Sequence, residues 1–432
     1  MKKYIPELVK SRFVRNVAVL ATGTVASQLV ALIFVPFITR MYGPESYGLL
    51  GIFTSLLIIL TPIVALSYPI AIVLPKKNQE AMTVTKLSLY IAVFMSGLIL
   101  LIAILFGDVL LKLINAETIS NFILLLPLAA FFAAFFQVTE QWSIRVNAFS
   151  LLAKAAFSQS LILNISKVLI GLFYPYAIIL ILTNIFGNLL HTFMLFIGLK
   201  KSTTIRHLGS TPCLASIAKK FYDFPLYRAP QVFINAISQS LPVLMLASFF
   251  GAAAAGFYVL GRTVMALPSQ LIGKAVGDVF YPRINHAAEQ GEDVYKIIVK
   301  ATIALGLLGL IPFSMIIILG PELFGLVFGD EWSKAGEYAQ WLSLMFYMNL
   351  INKPSVASIP VLGKQFGLVI YEIFSTGSKF IALYYAYTLY SNDLIAVMLF
   401  SIAGSLAYII LILWVLVIAK NFTVKKNAKK TS

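Results

Sequence analysis

Residues 83–107 read TVTKLSLYIAVFMSGLILLIAILFG, and Lys86 is the one charge among them. As a helix rising about 1.5 Å per residue, such a block crosses a hydrocarbon core about 30 Å thick. It is too long and too uniformly apolar for a lipid-facing β-strand, which alternates over about 10 residues. Eleven more blocks follow the same reading, at about 14–40, 46–73, 119–142, 149–173, 176–198, 227–250, 253–281, 297–320, 335–359, 365–389 and 393–419. The spans at 149–173, 253–281 and 335–359 are interrupted by charged or polar residues. The expected fold class is an all-α polytopic membrane protein. Its twelve transmembrane helices form two six-helix bundles, related by a pseudo-two-fold axis along the membrane normal.

Composition leads to the same class. The chain has 432 residues, 60% apolar and 12% charged, with a mean hydropathy of +0.91. A soluble domain carries about 25% charged residues. Twelve spans use about 240 residues and leave no room for a second soluble domain. The basic N-terminus leads into an apolar stretch from Val14 to Thr39, longer than a signal-peptide core, so it reads as a retained span. The lone Cys213 excludes an internal disulfide and a thiolate metal site. His191, His207 and His286 are far apart, and neither a metal nor any other cofactor is expected.

The net charge of +16 is explained by the positive-inside rule, without a nucleic-acid partner. With the N-terminus inside, cytoplasmic segments hold 25 Lys and Arg, and outside segments hold three, Arg40, Lys112 and Lys334. The outer loops carry eight acids: Glu45, Asp108, Glu117, Glu322, Asp330, Glu331, Glu337 and Asp393. Both termini are therefore expected in the cytoplasm. The longest polar connection, 199–226, is basic. It divides the chain into an N-terminal bundle (1–198), a linker (199–226) and a C-terminal bundle (227–432) with a short basic tail. A trace of duplication fits this division. Gly43-Pro44-Glu45-Ser46-Tyr47-Gly48 joins spans one and two, and Gly251-Ala252-Ala253-Ala254-Ala255-Gly256 joins spans seven and eight, 208 residues later. Tight helix hairpins favour glycine in any case, so chance is the competing explanation.

The stretch from Arg15-Asn16 through a span to Arg40-Met41-Tyr42-Gly43-Pro44-Glu45-Ser46-Tyr47-Gly48 resembles the first hairpin of bacterial polysaccharide flippases. These are the O-antigen and capsule-unit translocases of the multidrug/oligosaccharidyl-lipid/polysaccharide exporter superfamily. Gly251 to Gly256, then Phe257-Tyr258 and a span ending Phe280-Tyr281-Pro282-Arg283-Ile284, is similar to the second-half counterpart, with alanines replacing Pro-Glu. The resemblance covers the whole chain. It implies alternating access in the bacterial inner membrane, with undecaprenyl-pyrophosphate-linked oligosaccharide as cargo. It further implies membrane lipid, a polysaccharide polymerase and a chain-length regulator as partners, and a monomeric chain. The family has no fixed set of cavity residues, so the intramembrane charges stand on this sequence alone.

An ionisable group inside a span is costly, and it usually faces a protein interior or a watery cavity. Arg262 lies about 15 Å into the eighth span. Its planar fork suits a pyrophosphate; a structural ion pair is the alternative. Lys379 and Lys167 offer point charges to phosphate or acidic sugar, or snorkel to headgroups. Glu372 sits seven residues before Lys379, on one helix face, and either titrates for ion coupling or neutralises a lysine. Asp278 is a second ion-coupling candidate, although its i, i+4 spacing from Lys274 also describes a local salt bridge. Arg12 and Arg15 flank the first span, as positive-inside anchors or as a basic rim that collects an anionic headgroup. Lys353 completes the deep set, while Glu140 beside Arg145 reads as an interfacial anchor. Asn349 and the other intramembrane amides read as helix–helix contacts more often than as sugar ligands.

Five of the seven deep charges are basic, which favours an anionic cargo over the cationic drugs of an ion-coupled exporter. Residues 74–86 lack the Gly-x3-Asp-Arg-x-Gly-Arg-like loop of a major facilitator transporter. Paired catalytic carboxylates and a nucleotide-binding glycine loop are lacking too, which disfavours an enzyme. The orientation is directly testable. A membrane-impermeant thiol reagent is expected to label Cys213 only after permeabilisation, and ready labelling in intact cells would reverse the topology.

Overall fold

The computed structural model describes the backbone of residues 12–113, 117–201 and 213–431, and the side chains of 19–112, 117–200, 213–270, 280–281 and 283–422. Among the described residues all regular structure is helical. Hydrocarbon offers the backbone no hydrogen-bonding partner, so a spanning segment must satisfy its own amides. Seven helical stretches are each long and apolar enough to cross a membrane, and the chain is a multi-pass membrane protein.

Internal packing divides the chain after Ser248. The first unit, Met1–Ser248, is built on α1 (Arg12–Val64), α2 (Asn78–Leu113), α3 (Leu125–Arg145), α4 (Phe149–Gly171) and α5 (Ala177–Lys201). A short α6 (Leu214–Lys220) follows, and then α7 (Ala229–Phe250). Helix α1 packs along α4, and α3 packs against α5. The Ser240 hydroxyl of α7 donates to the Ser55 carbonyl of α1 at 3.1 Å, within this same unit. The second unit, Phe249–Ser432, contains α8 (Ala252–Gln290), α9 (Val294–Phe328), α10 (Ser333–Ile351), α11 (Lys353–Ser358), α12 (Gln365–Tyr390) and α13 (Asp393–Thr431). There α10 packs against α8, α9 and α13, and α12 lies along α13.

Helix covers most of each expected span, but the tenth, 335–359, is interrupted at Asn352 and the second is shorter than expected. The expected span 46–73 leaves the α-helix at Val64. Leu66 and Ser67 turn to φ 46° and 56°, and Tyr68–Val73 forms a 3-10 helix. Pro69 supplies the reason. It has no N–H to donate, and its ring would collide with the carbonyl one turn back. The freed carbonyls find a donor on α3. The Arg145 guanidinium donates to Pro75 O at 2.6 Å, to Ile72 O at 3.2 Å and to Asn78 Oδ1 at 3.0 Å. Arg145 thus caps a helix end, beyond anchoring an interface.

The polar connection 199–226 contains a helix of its own, α6. Its residues 202–212 lie outside the described ones. Ile217 of α6 is buried in one cluster with Trp142, Ile72, Ala81 and Val138. Lys220 pairs with Glu80 at 2.6 Å, and the Tyr68 hydroxyl donates to Ala218 O at 3.3 Å. An amphipathic helix is therefore packed against the first unit through its apolar side.

The two matched glycines share one backbone conformation. Gly43 breaks α1 at φ 69°, ψ 170°, and Gly251 precedes α8 at φ 88°, ψ 172°. That region is accessible essentially to glycine alone. Pro44 then opens the next helical segment, where its missing N–H costs nothing. Tyr42, just before the break, is buried, and its hydroxyl donates to Lys167 O of α4 at 2.7 Å. No atom lies within 4 Å of a Cβ built on Gly251, so its substitution isolates the backbone cost. Gly251→Ala is expected to destabilise by about 1–3 kcal/mol. The check is the melting temperature of the detergent-purified protein, which falls in the variant; an unchanged value contradicts the shared-turn reading.

Candidate functional site

The second unit holds a polar cavity of about 210 Å³. Asn349 of α10 and Asn352 and Lys353 at the α10–α11 break form one side. Tyr371 and Glu372 of α12 and Tyr408 and Leu411 of α13 form the other. The break explains why polar side chains gather here. Pro354 at the start of α11 cannot donate a backbone hydrogen bond, so the long helix is interrupted at Asn352. Irregular backbone at such depth is tolerated where it lines a cavity.

The cavity walls are cross-braced. Asn349 Nδ2 donates to the Tyr408 hydroxyl at 2.7 Å. Asn352 is only 2% exposed, and its Oδ1 has no hydrogen-bond partner among the described residues. Ser355, one turn into α11, is fully buried with its hydroxyl in the same condition. Lys353 is half-buried and forms no ion pair among the described residues, although Glu372 lines the same cavity. A cation thus faces a space lined by amide, phenol and carboxyl side chains. Such a space suits a ligand that carries both an anionic group and hydroxyl donors.

The remaining intramembrane charges of this unit extend from the cavity. Lys379 lies within electrostatic range of Glu372, and its Cδ packs beside Gly404 of α13. Glu372 is also within range of Tyr408, and Tyr408 of Tyr258 on α8. Tyr258 in turn faces Arg262, one turn along the same helix. Tyr258 is buried, and its ring meets Phe400 edge-on with centroids 6.0 Å apart. A seam of tyrosines therefore links Arg262, Glu372, Lys379 and Lys353 within one unit. Lys167 belongs to the first unit, on α4, half-buried beside the Tyr42 hairpin. The side chains of Arg12, Arg15, Lys274 and Asp278 lie outside the described residues.

Sequence reasoning had singled out the charges and Asn349. It passed over Tyr258, Tyr371, Tyr408 and Asn352. One signal was available: Tyr371 directly precedes the deepest acid, and Asn352-Lys353-Pro354 places two polar residues and a helix breaker inside a span. Arg145 was noted without its capping role, because the carbonyls it serves are some 70 residues away in sequence.

Comparison with known proteins agrees with this architecture. Residues 37–337, more than half of the chain, match the family model described as "Polysaccharide biosynthesis protein". The chain belongs to that family. A curated relative, the lipopolysaccharide biosynthesis protein WzxC of Escherichia coli (strain K12), is 25% identical over 186 residues. That match takes in 42% of this chain and 36% of the relative. Two solved structures share the fold at low identity. An inward-facing multidrug resistance MATE family transporter of the MOP superfamily gives a TM-score of 0.70 at 14% identity, covering 94% of this chain and 96% of that one. The lipid II flippase MurJ, in an inward closed conformation, gives 0.70 at 13%, covering 95% and 90%. The fold is thus shared with transporters of the MOP superfamily, and the family is that of polysaccharide biosynthesis proteins.

Proposed function

We propose that this protein flips undecaprenyl-pyrophosphate-linked oligosaccharide units from the inner to the outer leaflet of a bacterial cytoplasmic membrane, by alternating access. It works as a transporter and not as an enzyme. The observation that carries the reading is Lys353, an intramembrane cation on a polar cavity with no carboxylate partner among the described residues. A cation at this depth in the membrane is stabilised by an anion, and a pyrophosphate supplies one. Family membership and the printed names of WzxC and MurJ support a lipid-linked saccharide over other anions. In this reading 1–198 and 227–432 act as the two moving bundles, with both termini and the linker 199–226 in the cytoplasm. Polymerase and chain-length regulator receive the cargo on the outer face. Arg262 and Lys379 pass the phosphates along the seam, and Lys167, Arg12 and Arg15 serve the first bundle. Glu372 tunes the charge of the cavity or carries a coupling proton, and Asp278 is a second such acid.

The fold likeness to a MATE transporter keeps one competitor specific, a cation-coupled drug exporter. An exporter of cationic drugs would concentrate acids, whereas Arg262, Lys353 and Lys379 outnumber Glu372 in this seam.

Complementation of a flippase-null strain, with protein level measured in parallel, tests the assignment. Arg262→Ala is expected to abolish surface polysaccharide. Arg262→Lys is expected to retain part of it, because the charge remains without the bidentate fork. Glu372→Gln, which keeps size and removes charge, is expected to reduce transport at a normal membrane level. Full polysaccharide from Arg262→Ala, or loss explained by degraded protein, defeats the ligand role. Wild-type transport from Glu372→Gln removes that acid from the mechanism.

A further inference from the structure

One face of α7 is polar along the first half of the helix. Arg228, at the turn into α7, is followed by Gln231, Asn235 and Gln239 at intervals of three, four and four residues, the spacing of a single helix face. All four are exposed. They brace one another along the helix. Arg228 donates to Gln231 Oε1 at 3.0 Å, and Gln239 Nε2 donates to Asn235 Oδ1 at 2.6 Å. Gln239 lies eleven residues beyond Arg228, about 16 Å of helix rise. The stretch Phe224–Phe250 is long and apolar enough to cross a membrane. The stripe therefore runs from one end of the span to about the middle of a hydrocarbon core about 30 Å thick.

The opposite face of α7 is the packed one. Ala229, Ala236, Ser240, Val243 and Ala247 are buried there, and Ser240 bonds the Ser55 carbonyl of α1. Beside the stripe lies an aliphatic sector, in which Ile234 is 66% exposed. Hydrocarbon accommodates that sector. Polar side chains at the same depth face either a protein interior or a water-filled path. These are exposed, which leaves the path.

We propose that Arg228, Gln231, Asn235 and Gln239 form a ladder that binds the saccharide of the cargo in a water-filled path along α7. The inference rests on the flippase reading and adds to it the residues that hold the sugar. Three observations select this occupant. Each amide presents two donors and an acceptor, and sugar hydroxyls both donate and accept, so a saccharide lying along the helix can meet each rung in either sense. The charge is also right. Arg228 offers a cation at the end of the span nearest the basic linker, and residues 228–239 contain no carboxylate to hold a cationic drug. Finally, a second copy of the chain is disfavoured. Close helix association in a membrane uses small residues, and the alanines and Ser240 of α7 lie on the face already buried within the unit.

Cysteine protection tests the proposal. Full-length protein carrying Cys213→Ser receives one new cysteine, by Asn235→Cys on the stripe or by Ile234→Cys on the aliphatic sector. A thiol reacts as the thiolate, which hydrocarbon suppresses and water permits. The protein is placed in liposomes with a hydrophilic thiol reagent on both sides. The liposomes hold phospholipid alone, added undecaprenyl pyrophosphate, or the undecaprenyl-pyrophosphate repeat unit isolated from the flippase-null host. Labelling is expected at 235 and not at 234, and the saccharide-bearing lipid is expected to protect 235 while the bare lipid does not. The variant Gln231→Ala/Asn235→Ala/Gln239→Ala changes exposed side chains only. It is expected to weaken binding of the saccharide-bearing lipid at least about tenfold in native mass spectrometry, and to leave binding of the bare lipid unchanged. Equal labelling at 234 and 235, equal protection by the bare lipid, or disulfide-linked dimers through Asn235→Cys overturns the proposal. Saccharide-bearing lipid that binds wild-type and triple variant alike refutes the ladder and leaves the flippase reading standing. Failure of the wild-type protein to bind either lipid refutes both.

Discussion

Placing a charge in hydrocarbon costs several kcal/mol unless the protein supplies water, a counter-charge or a hydrogen-bonding partner. The second unit is organised by that cost. Arg262, Lys353, Glu372 and Lys379 come from three different stretches of chain, yet within one packed unit Arg262 lies in range of Tyr258, Lys353 and Glu372 share a cavity with Tyr371, Tyr408 and Asn349, and Lys379 lies in range of Glu372. Tyrosine suits the task because its ring packs against aliphatic neighbours and its hydroxyl meets the polar side. The Asn349–Tyr408 hydrogen bond joins two helices at the place where the cavity would otherwise separate them. The helix break that Pro354 imposes at Asn352 meets the same constraint. Interrupting the backbone ladder exposes polar groups, and the cavity beside them gives those groups an environment other than lipid.

The first unit meets a related constraint with different parts. Its orphan groups are carbonyls left by the interruption around Pro69, and Arg145 gathers those of Ile72, Val73 and Pro75 with one guanidinium. The basic linker contributes an apolar foot, Ile217, in addition to its charges. The salt bridge of Lys220 to Glu80 lies at the surface and adds little energy of its own. Its role is to fix where α6 rests.

Much of this was legible in the sequence, for identifiable reasons. Helix positions follow from hydropathy, because a span of about 20 apolar residues has few alternatives. The Gly43 and Gly251 turns were visible as a spacing, and their common dihedral angles give the spacing a physical cause. The end of the second span at Val64 was missed because Leu, Ser and Tyr around Pro69 are as apolar on average as a true span. Hydropathy counts residues and does not register a missing N–H. The tyrosine seam was missed for a similar reason. Twenty tyrosines are spread along the chain, and only the pairing of α10, α12 and α13 shows which of them face a common space. The packing of the Trp414 ring over Gly367 is the least legible feature. It depends on a single glycine opposite a single tryptophan, 47 residues apart.

The central claim is that the cargo is a lipid-linked anionic saccharide and that this chain moves it unaided. Reconstitution measures this most directly. Purified protein is placed in liposomes that hold undecaprenyl-pyrophosphate oligosaccharide in both leaflets, and the fraction accessible to an added, membrane-impermeant sugar-oxidising reagent is followed. Empty liposomes expose the outer leaflet alone, about half of the lipid. The account predicts that protein-containing liposomes expose nearly all of it, and that a cationic dye is not extruded from them. Access that stays at the level of empty liposomes, with dye extrusion driven by an ion gradient, would contradict it.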